Sequence, residues 1–406
     1  MAITALMVLF VVGSCTPPPL ASTGTVASPE GSRSAGQPAL TLWVNETHFD
    51  ALTGPVRAFS EETGQRVNLV ARDGGTMRDD FLKYSQLGTA PDVVMGEHSW
   101  LGGLLHAGAI SPVPLEEQAL YAPVALEAFS HEGQLFGAPF AMDAVALIRN
   151  TRLAAHAPTT WDEVRQAHLD SGVAMPFPIQ TGSGGDPYTY YSFQTSFGAP
   201  VFDRSDDGTY ADTLAMGAEP GRLFAQWLAA EGAAGTFDTS VSYHDAVEAF
   251  AGGEVPYVVG TEAMLGTLGH VDTAVDAIPP VGPNPAQPFV DVQGFYLSAQ
   301  TVQVAESADL IQHIMEDPRV HSALASATAR IPVYTPALDG LPEDNAISAF
   351  HAVARQGVPT PSNSMMAAVW PFWGVTEAQI ISGDVADPGD AWDQMVEDIR
   401  AAAVAG

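Results

Sequence analysis

A single carboxylate, Asp143, interrupts an otherwise apolar run, Gly137-Ala138-Pro139-Phe140-Ala141-Met142-Asp143-Ala144-Val145-Ala146-Leu147-Ile148-Arg149-Asn150. An acid buried there without a partner costs several kcal/mol. It must look into a polar gap or meet a partner, unless the run is an edge strand with one wet face. Other residues of useful type lie elsewhere in the chain. Asn45 ends one apolar strand, and Glu97 and Trp100 follow another. Tyr188 sits in a stretch rich in Gly and Tyr, and Trp370 and Trp373 share the cluster Trp370-Pro371-Phe372-Trp373. Carboxylates are planar acceptors and aromatic rings are flat apolar platforms, each ring contact adding about 0.5–1.5 kcal/mol beyond area. Glu97, Trp100, Asp143, Tyr188 and Trp370 therefore suit a ligand that presents hydroxyls and apolar C–H faces. An acidic cleft with aromatics also suits a polyamine, through cation–π contacts. Asp143 with Glu97 at the right spacing would be a glycoside-hydrolysing pair.

Signatures of other chemistry are missing. The chain has no H-E-x-x-H, no G-x-S-x-G, no P-loop and no G-x-G-x-x-G. Gly182-Ser183-Gly184-Gly185 lacks the P-loop lysine and reads as a turn. The one cysteine, Cys15, allows no internal disulfide and no cysteine-based metal site. No cofactor and no metal are expected.

The elements that must position these residues follow from periodicity. Ala39 to Val44 reads as a strand, then a helix with Leu52, Val56, Phe59 and Ser60 on one face and Gly64 as its stop. Arg66 to Val70 is a strand, Thr76 to Leu87 a helix and Pro91 to Met95 a strand. This alternation predicts a parallel sheet covered by helices, whose ligands bind beyond the carboxyl ends of strands. Asn45 and Glu97 fall at such ends. The Asp143 run reads as a strand crossing between two lobes. Pro288 to Leu297 is a second crossing and Arg330 to Val333 a third. Thr160, with Glu163 three residues on, is a helix N-cap. Helices follow near Gly221 to Glu231 and Tyr243 to Ala251, Val255 to Gly260 is a buried strand, and Met366 to Ile399 is helical. Trp43, Trp161, Tyr190 and Tyr191 read as packing residues and His98 as a structural histidine. Trp373 is balanced between core and cleft.

Composition bounds the class. The 406 residues favour two lobes, and a 46% hydrophobic fraction supplies a core. Asp+Glu 47 against Lys+Arg 15 gives a net charge of -32, and Lys83 is the only lysine. Such a surface repels nucleic acid and anionic membranes and disfavours strongly anionic ligands. Met1 to Gly13 is apolar and uncharged, too short to span a bilayer, and matches the h-region of a secretion signal. Thr16 to Pro38, rich in Pro, Ser and Gly, reads as a flexible tether.

Several stretches resemble the extracellular solute-binding proteins of ABC sugar importers, the maltose/maltodextrin-binding type. They are Leu42-Trp43-Val44-Asn45, Ala90-Pro91-Asp92-Val93-Val94, Ala138-Pro139-Phe140-Ala141-Met142-Asp143, Pro158-Thr159-Thr160-Trp161-Asp162-Glu163, Ala249-Phe250 with Gly253-Glu254, and Met366-Ala367-Ala368-Val369-Trp370. Val12-Gly13-Ser14-Cys15 resembles a bacterial lipobox, although a positive n-region is missing. The resemblance implies an α/β, periplasmic-binding-protein-like fold of type II, with two α/β lobes joined by a three-segment hinge. It places residues 1–14 in a signal peptide and 15–38 in the lipidated Cys15 and tether. The N-terminal lobe would span 39–142 plus 294–333, the C-terminal lobe 143–293 plus 334–406. It implies a lipid-anchored monomer outside the cell that binds no nucleic acid and hands a small carbohydrate to membrane permease subunits. Asp143 would hydrogen-bond sugar hydroxyls, Trp370 would stack on a ring, and Tyr188 would be the second lobe's aromatic. Asn45, Glu97, Trp100 and Trp373 complete the expected sugar contacts. The tip Gly96-Glu97-His98-Ser99-Trp100 and Ala263 depart from the enteric maltodextrin binder's pattern, which favours a mono- or disaccharide.

Overall fold

The computed structural model describes residues 25–26, 38–205, 208–342, 345–363 and 365–405. Cys15 and its apolar leader lie outside them, as does most of the expected tether. Thr25–Val26, expected in that tether, pairs antiparallel with the strand edge at Leu69 and Val70.

Strands β1 (Leu40–Asn45), β2 (Val67–Arg72) and β3 (Val93–Glu97) run parallel, joined by helices α1 (Phe49–Thr63) and α2 (Met77–Gln86). Helix α1 buries Leu52, Val56 and Phe59, and stops where Gly64 takes a left-handed φ of 75°. The Asp143 run forms β4 (Gly137–Ala144) and β5 (Ala146–Asn150), with only Val145 between them. Strand β4 stays in the large sheet, while β5 leaves to become the centre of a three-stranded sheet flanked by β6 (Tyr257–Gly260), which helix α6 (Tyr243–Ala251) precedes, and β7 (Thr273–Asp276). The chain returns over residues 277–288 into β8 (Phe289–Ser298), which inserts antiparallel between β3 and β4. Short β9 (Ile331–Pro332) borders β4, and the chain then leaves the large sheet for helix α7 (Ala346–Ala354), which packs on β7. The core order of the large sheet is β2-β1-β3-β8-β4. The β4–β8 ladder runs past the boundaries expected at 142/143 and 293/294, because Ala144 pairs with Val290 and Asp143 with Asp291.

Two apolar cores result. One holds Leu42, Phe59, Phe140 and Phe295; the other holds Leu147, Trp161, Tyr190, Trp373 and Trp392. Strand β5 serves both, because Ala146 and Ile148 face the first and Leu147 the second, as the two-residue period of a strand requires. The second core is covered by helices α3 (Trp161–Asp170), α4 (Pro187–Ser196), α5 (Ala218–Ala233), α8 (Met366–Ser382) and α9 (Pro388–Ala405). Thr160 and Glu163 cap α3 reciprocally, as expected. The tail expected as helical from Met366 to Ile399 is two helices, broken where Gly383 is left-handed. Among the described residues no helix is long and apolar enough to cross a membrane, and no group of three or more His, Cys, Asp and Glu could hold a metal ion.

Candidate binding site

Strands β1 and β3 are parallel neighbours, with Trp43 opposite Val94, so their carboxyl ends bring Asn45 and Glu97 to one edge. Asn45 Oδ1 accepts from the Thr47 N–H at 3.0 Å, which caps the following turn. Gln293, opposite Glu97 on β8, donates to Glu97 Oε1 at 2.8 Å. Trp100 lies over Gly96, where any Cβ would run into the indole. These residues, with Glu46, Thr47, Asp73, Gly74, Gly75, Met77 and Met95, line a cavity of about 360 Å³.

Asp143 is 15% exposed at the end of β4, and it meets two partners. Arg330 Nη1 lies 2.9 Å from Oδ2, and the Tyr188 hydroxyl donates to Oδ1 at 2.6 Å. Burial pushes the Asp143 carboxyl up; Arg330 pulls it down, Asp291 pushes it up, and Tyr188 pulls it down. Arg330 Nη2 also approaches Glu97 Oε1 at 3.7 Å. Glu262, 2% exposed, is pushed well above the carboxylate range by burial and then by Asp143. Arg330 was absent from the sequence expectations, which gave it only as the start of a crossing.

The aromatic wall comes from the second core. Phe289 sits between Tyr188 (ring centroids 6.0 Å) and Trp370 (6.3 Å), and Trp370 stacks on Trp373 at 5.6 Å and 22°. Trp370 remains partly exposed. Trp373, expected among the ligand contacts, is instead fully buried, with its indole N–H donating to Gln194 Oε1 at 3.1 Å. It is the layer beneath Trp370, because three residues along a helix returns to the same side. Of the expected site residues, Asn45, Glu97 and Trp100 line the 360 Å³ cavity; Asp143, Tyr188 and Trp370 do not, and neither does Arg330. His98 is structural as expected. Its Nδ1 accepts from the Val292 N–H at 3.1 Å, which fixes the proton on Nε2, donated to the Thr360 carbonyl at 2.8 Å. Trp43, Trp161, Tyr190 and Tyr191 are buried.

One further acid supports the aromatic wall. Glu377, one turn beyond Trp373, is fully buried, and burial pushes its carboxyl well above the ordinary value of 4.5, with Asp186 adding to the effect. Folded chains thus hold a proton that unfolded chains release above about pH 4.5, so this group's contribution to stability is present below that pH and lost as pH rises. Glu377→Gln keeps the shape and has no proton to lose. It is expected to raise Tm near pH 7.5 and to change it little near pH 4, as read by thermal denaturation at both; an equal shift at the two would refute the assignment.

A parallel sheet entered by one returning antiparallel strand, with ligand-type residues at strand tips and chain crossings to a second sheet, defines the periplasmic-binding-protein-like fold of type II. The chain belongs to the bacterial extracellular solute-binding proteins, whose family profile matches residues 56–351. It is 23% identical over 303 residues to the maltotriose-binding protein of Pyrococcus abyssi, covering 70% of this chain and 64% of that one. It is 22% identical over 358 residues to the maltodextrin-binding protein MdxE of Bacillus subtilis, covering 85% of each. A crystal structure of a cyclo/maltodextrin-binding protein complexed with maltotetraose superposes with a TM-score of 0.80, at 22% identity over 91% of this chain and 98% of that one.

Proposed function

We propose that this chain binds a small neutral sugar of the maltose type and delivers it to an ABC permease, without chemistry on the ligand. The observation that carries this reading is Asp143. It is a nearly buried carboxylate at a strand end, linked through Arg330 to Glu97 of the cavity and through Tyr188 to the wall of Tyr188, Phe289 and Trp370. The relatives named for maltotriose and maltodextrin support the ligand class. In this reading residues 39–142 plus 294–333 and residues 143–293 plus 334–406 close over the sugar about the three crossings, as hinge-bending lobes do. Asn45, Glu97 and Trp100 bind hydroxyls and ring faces from the first lobe, and Asp143, Tyr188 and Trp370 from the second. The protein acts as a monomer outside the cell, held to the membrane by a lipid on Cys15.

Micromolar affinity requires about 8 kcal/mol, within reach of a few charge-assisted hydrogen bonds and one or two stacked rings. Calorimetric titration with glucose, maltose, trehalose, maltotriose and spermidine tests the reading: a neutral glucoside should bind and raise Tm by mass action. Binding of spermidine alone, or release of glucose from a glucoside, would overturn it. Trp370→Ala is expected to weaken the cognate sugar at least tenfold with Tm nearly unchanged, because Trp373 rather than Trp370 fills the core. An unchanged Kd removes Trp370 from the site.

A further inference from the structure

Arg330 stands out in a chain with 47 acids and 15 basic residues. Among the described residues most of its fellow bases lie on the surface or in local ion pairs, whereas Arg330 is 18% exposed and stands between Asp143 and Glu97. Its position is built rather than incidental. The preceding Ala329 takes a left-handed φ of 51°, a conformation that a residue with a Cβ adopts only at a cost and that persists where the surroundings impose it. The Arg330 N–H is tied to the Ala325 carbonyl at 2.8 Å, and the next two residues pair with Met142 and Ala141, which brings Arg330 to the level of Asp143. The guanidinium thus enters between Asp143 and Glu97, with Asp291 paired opposite Asp143 and Glu262 buried nearby.

Two carboxylates facing one gap are what a ligand ammonium group needs. Here that gap already holds a cation. Nη1 stands in an ion pair 2.9 Å from Asp143 Oδ2 without hydrogen-bond alignment, and Nη2, at 3.7 Å from Glu97 Oε1, is beyond hydrogen-bond distance, so the guanidinium keeps donors free. We propose that Arg330 is the specificity-determining residue of the site: it occupies the ammonium position between Glu97 and Asp143, excludes amine-bearing ligands, and donates from Nη2 to an oxygen of a neutral sugar. The proposal rests on the neutral-sugar reading above and explains why so acidic a protein would not collect polyamines instead.

The test compares the wild-type chain with Arg330→Gln and Arg330→Lys by calorimetric titration against maltotriose, glucosamine and spermidine, at low and high salt, after thermal denaturation has checked that each variant folds. R330Q should lose at least tenfold in maltotriose affinity and gain at least tenfold for an amine, the gain fading in high salt. A merely structural role would weaken every ligand together and could not produce opposite changes. R330K keeps the charge without the planar fork. It should lose at least threefold for maltotriose and gain nothing for the amines, and it decides the matter if R330Q does not fold. Maltotriose affinity within threefold of wild type in R330Q, or amine affinity no better than wild type, overturns the proposal. Where the wild type binds glucose, maltose or trehalose but not maltotriose, that sugar takes the place of maltotriose in every arm; a wild type that binds none of the four counts against the sugar reading, and the amine gain in R330Q still decides the role of Arg330.

Discussion

Asp143→Asn is expected to weaken binding of the cognate sugar by about two orders of magnitude. A hydrogen bond to a charged group contributes roughly 1.5–3 kcal/mol, and a planar carboxylate can accept two or more at once. Asp143 already spends one lone pair on the Tyr188 hydroxyl and is held in an ion pair with Arg330, and those partners aim what remains. The amide keeps the shape but turns one acceptor into a donor pointed at Arg330 or Tyr188, and removes the charge from the pair. Breaking a buried ion pair from one side also leaves a cation uncompensated. Glu97 and Asp291 stand close enough to Arg330 to absorb part of that cost, so Tm should fall by only a few degrees. Calorimetry and thermal denaturation separate the two effects. A Kd within threefold of wild type would remove Asp143 from the ligand's contacts.

Gly185→Ala should have the largest effect on stability, a loss of about 3 kcal/mol or more. Gly185 sits at a φ of 70°, and a Cβ there would overlap the Gly374 carbonyl. In return, a Cβ on Gly374 would strike the Gly184 carbonyl. Loop and helix α8 therefore touch backbone to backbone, and this contact sets the distance between Tyr188, just beyond the loop, and Trp370, one turn before Gly374. No flexible side chain is available to yield. Alanine must shift the helix or the loop as well as adopt a disfavoured backbone. Urea unfolding should show the lower midpoint, and sugar affinity should fall with it. A midpoint equal to wild type would show that the loop slides freely over α8.

What could be read from the sequence was what local pattern determines. The first three strands, α1 with its glycine stop, the capped α3 and the isolated acid of the Asp143 run each carry a short-range signal, and the structure has all of them. Helix α4 carried none. It is buried on nearly every side, from Pro187 through Ser196, so it has no polar stripe to set a period. Trp370 and Trp373 are the same residue type three positions apart on one helix. Which is platform and which is foundation depends on Gln194, 179 positions away from Trp373, reaching the deeper indole. Arg330 was illegible for a similar reason. Its partners Glu97 and Asp143 are far away in sequence, and only the scarcity of basic residues could have flagged it.

The insertion of β8 between β3 and β4 also sets the order in which this chain can fold. Both of its neighbours are made long before it, yet neither has its inner edge covered until residues 289–298 arrive. Contacts of such sequence separation are slow to form, and two uncovered edges invite pairing with other chains in the meantime. The first core is therefore closed from behind, by a segment nearer the end of the chain than the beginning, and a nascent chain stopped short of Phe289 is an open template rather than a smaller protein.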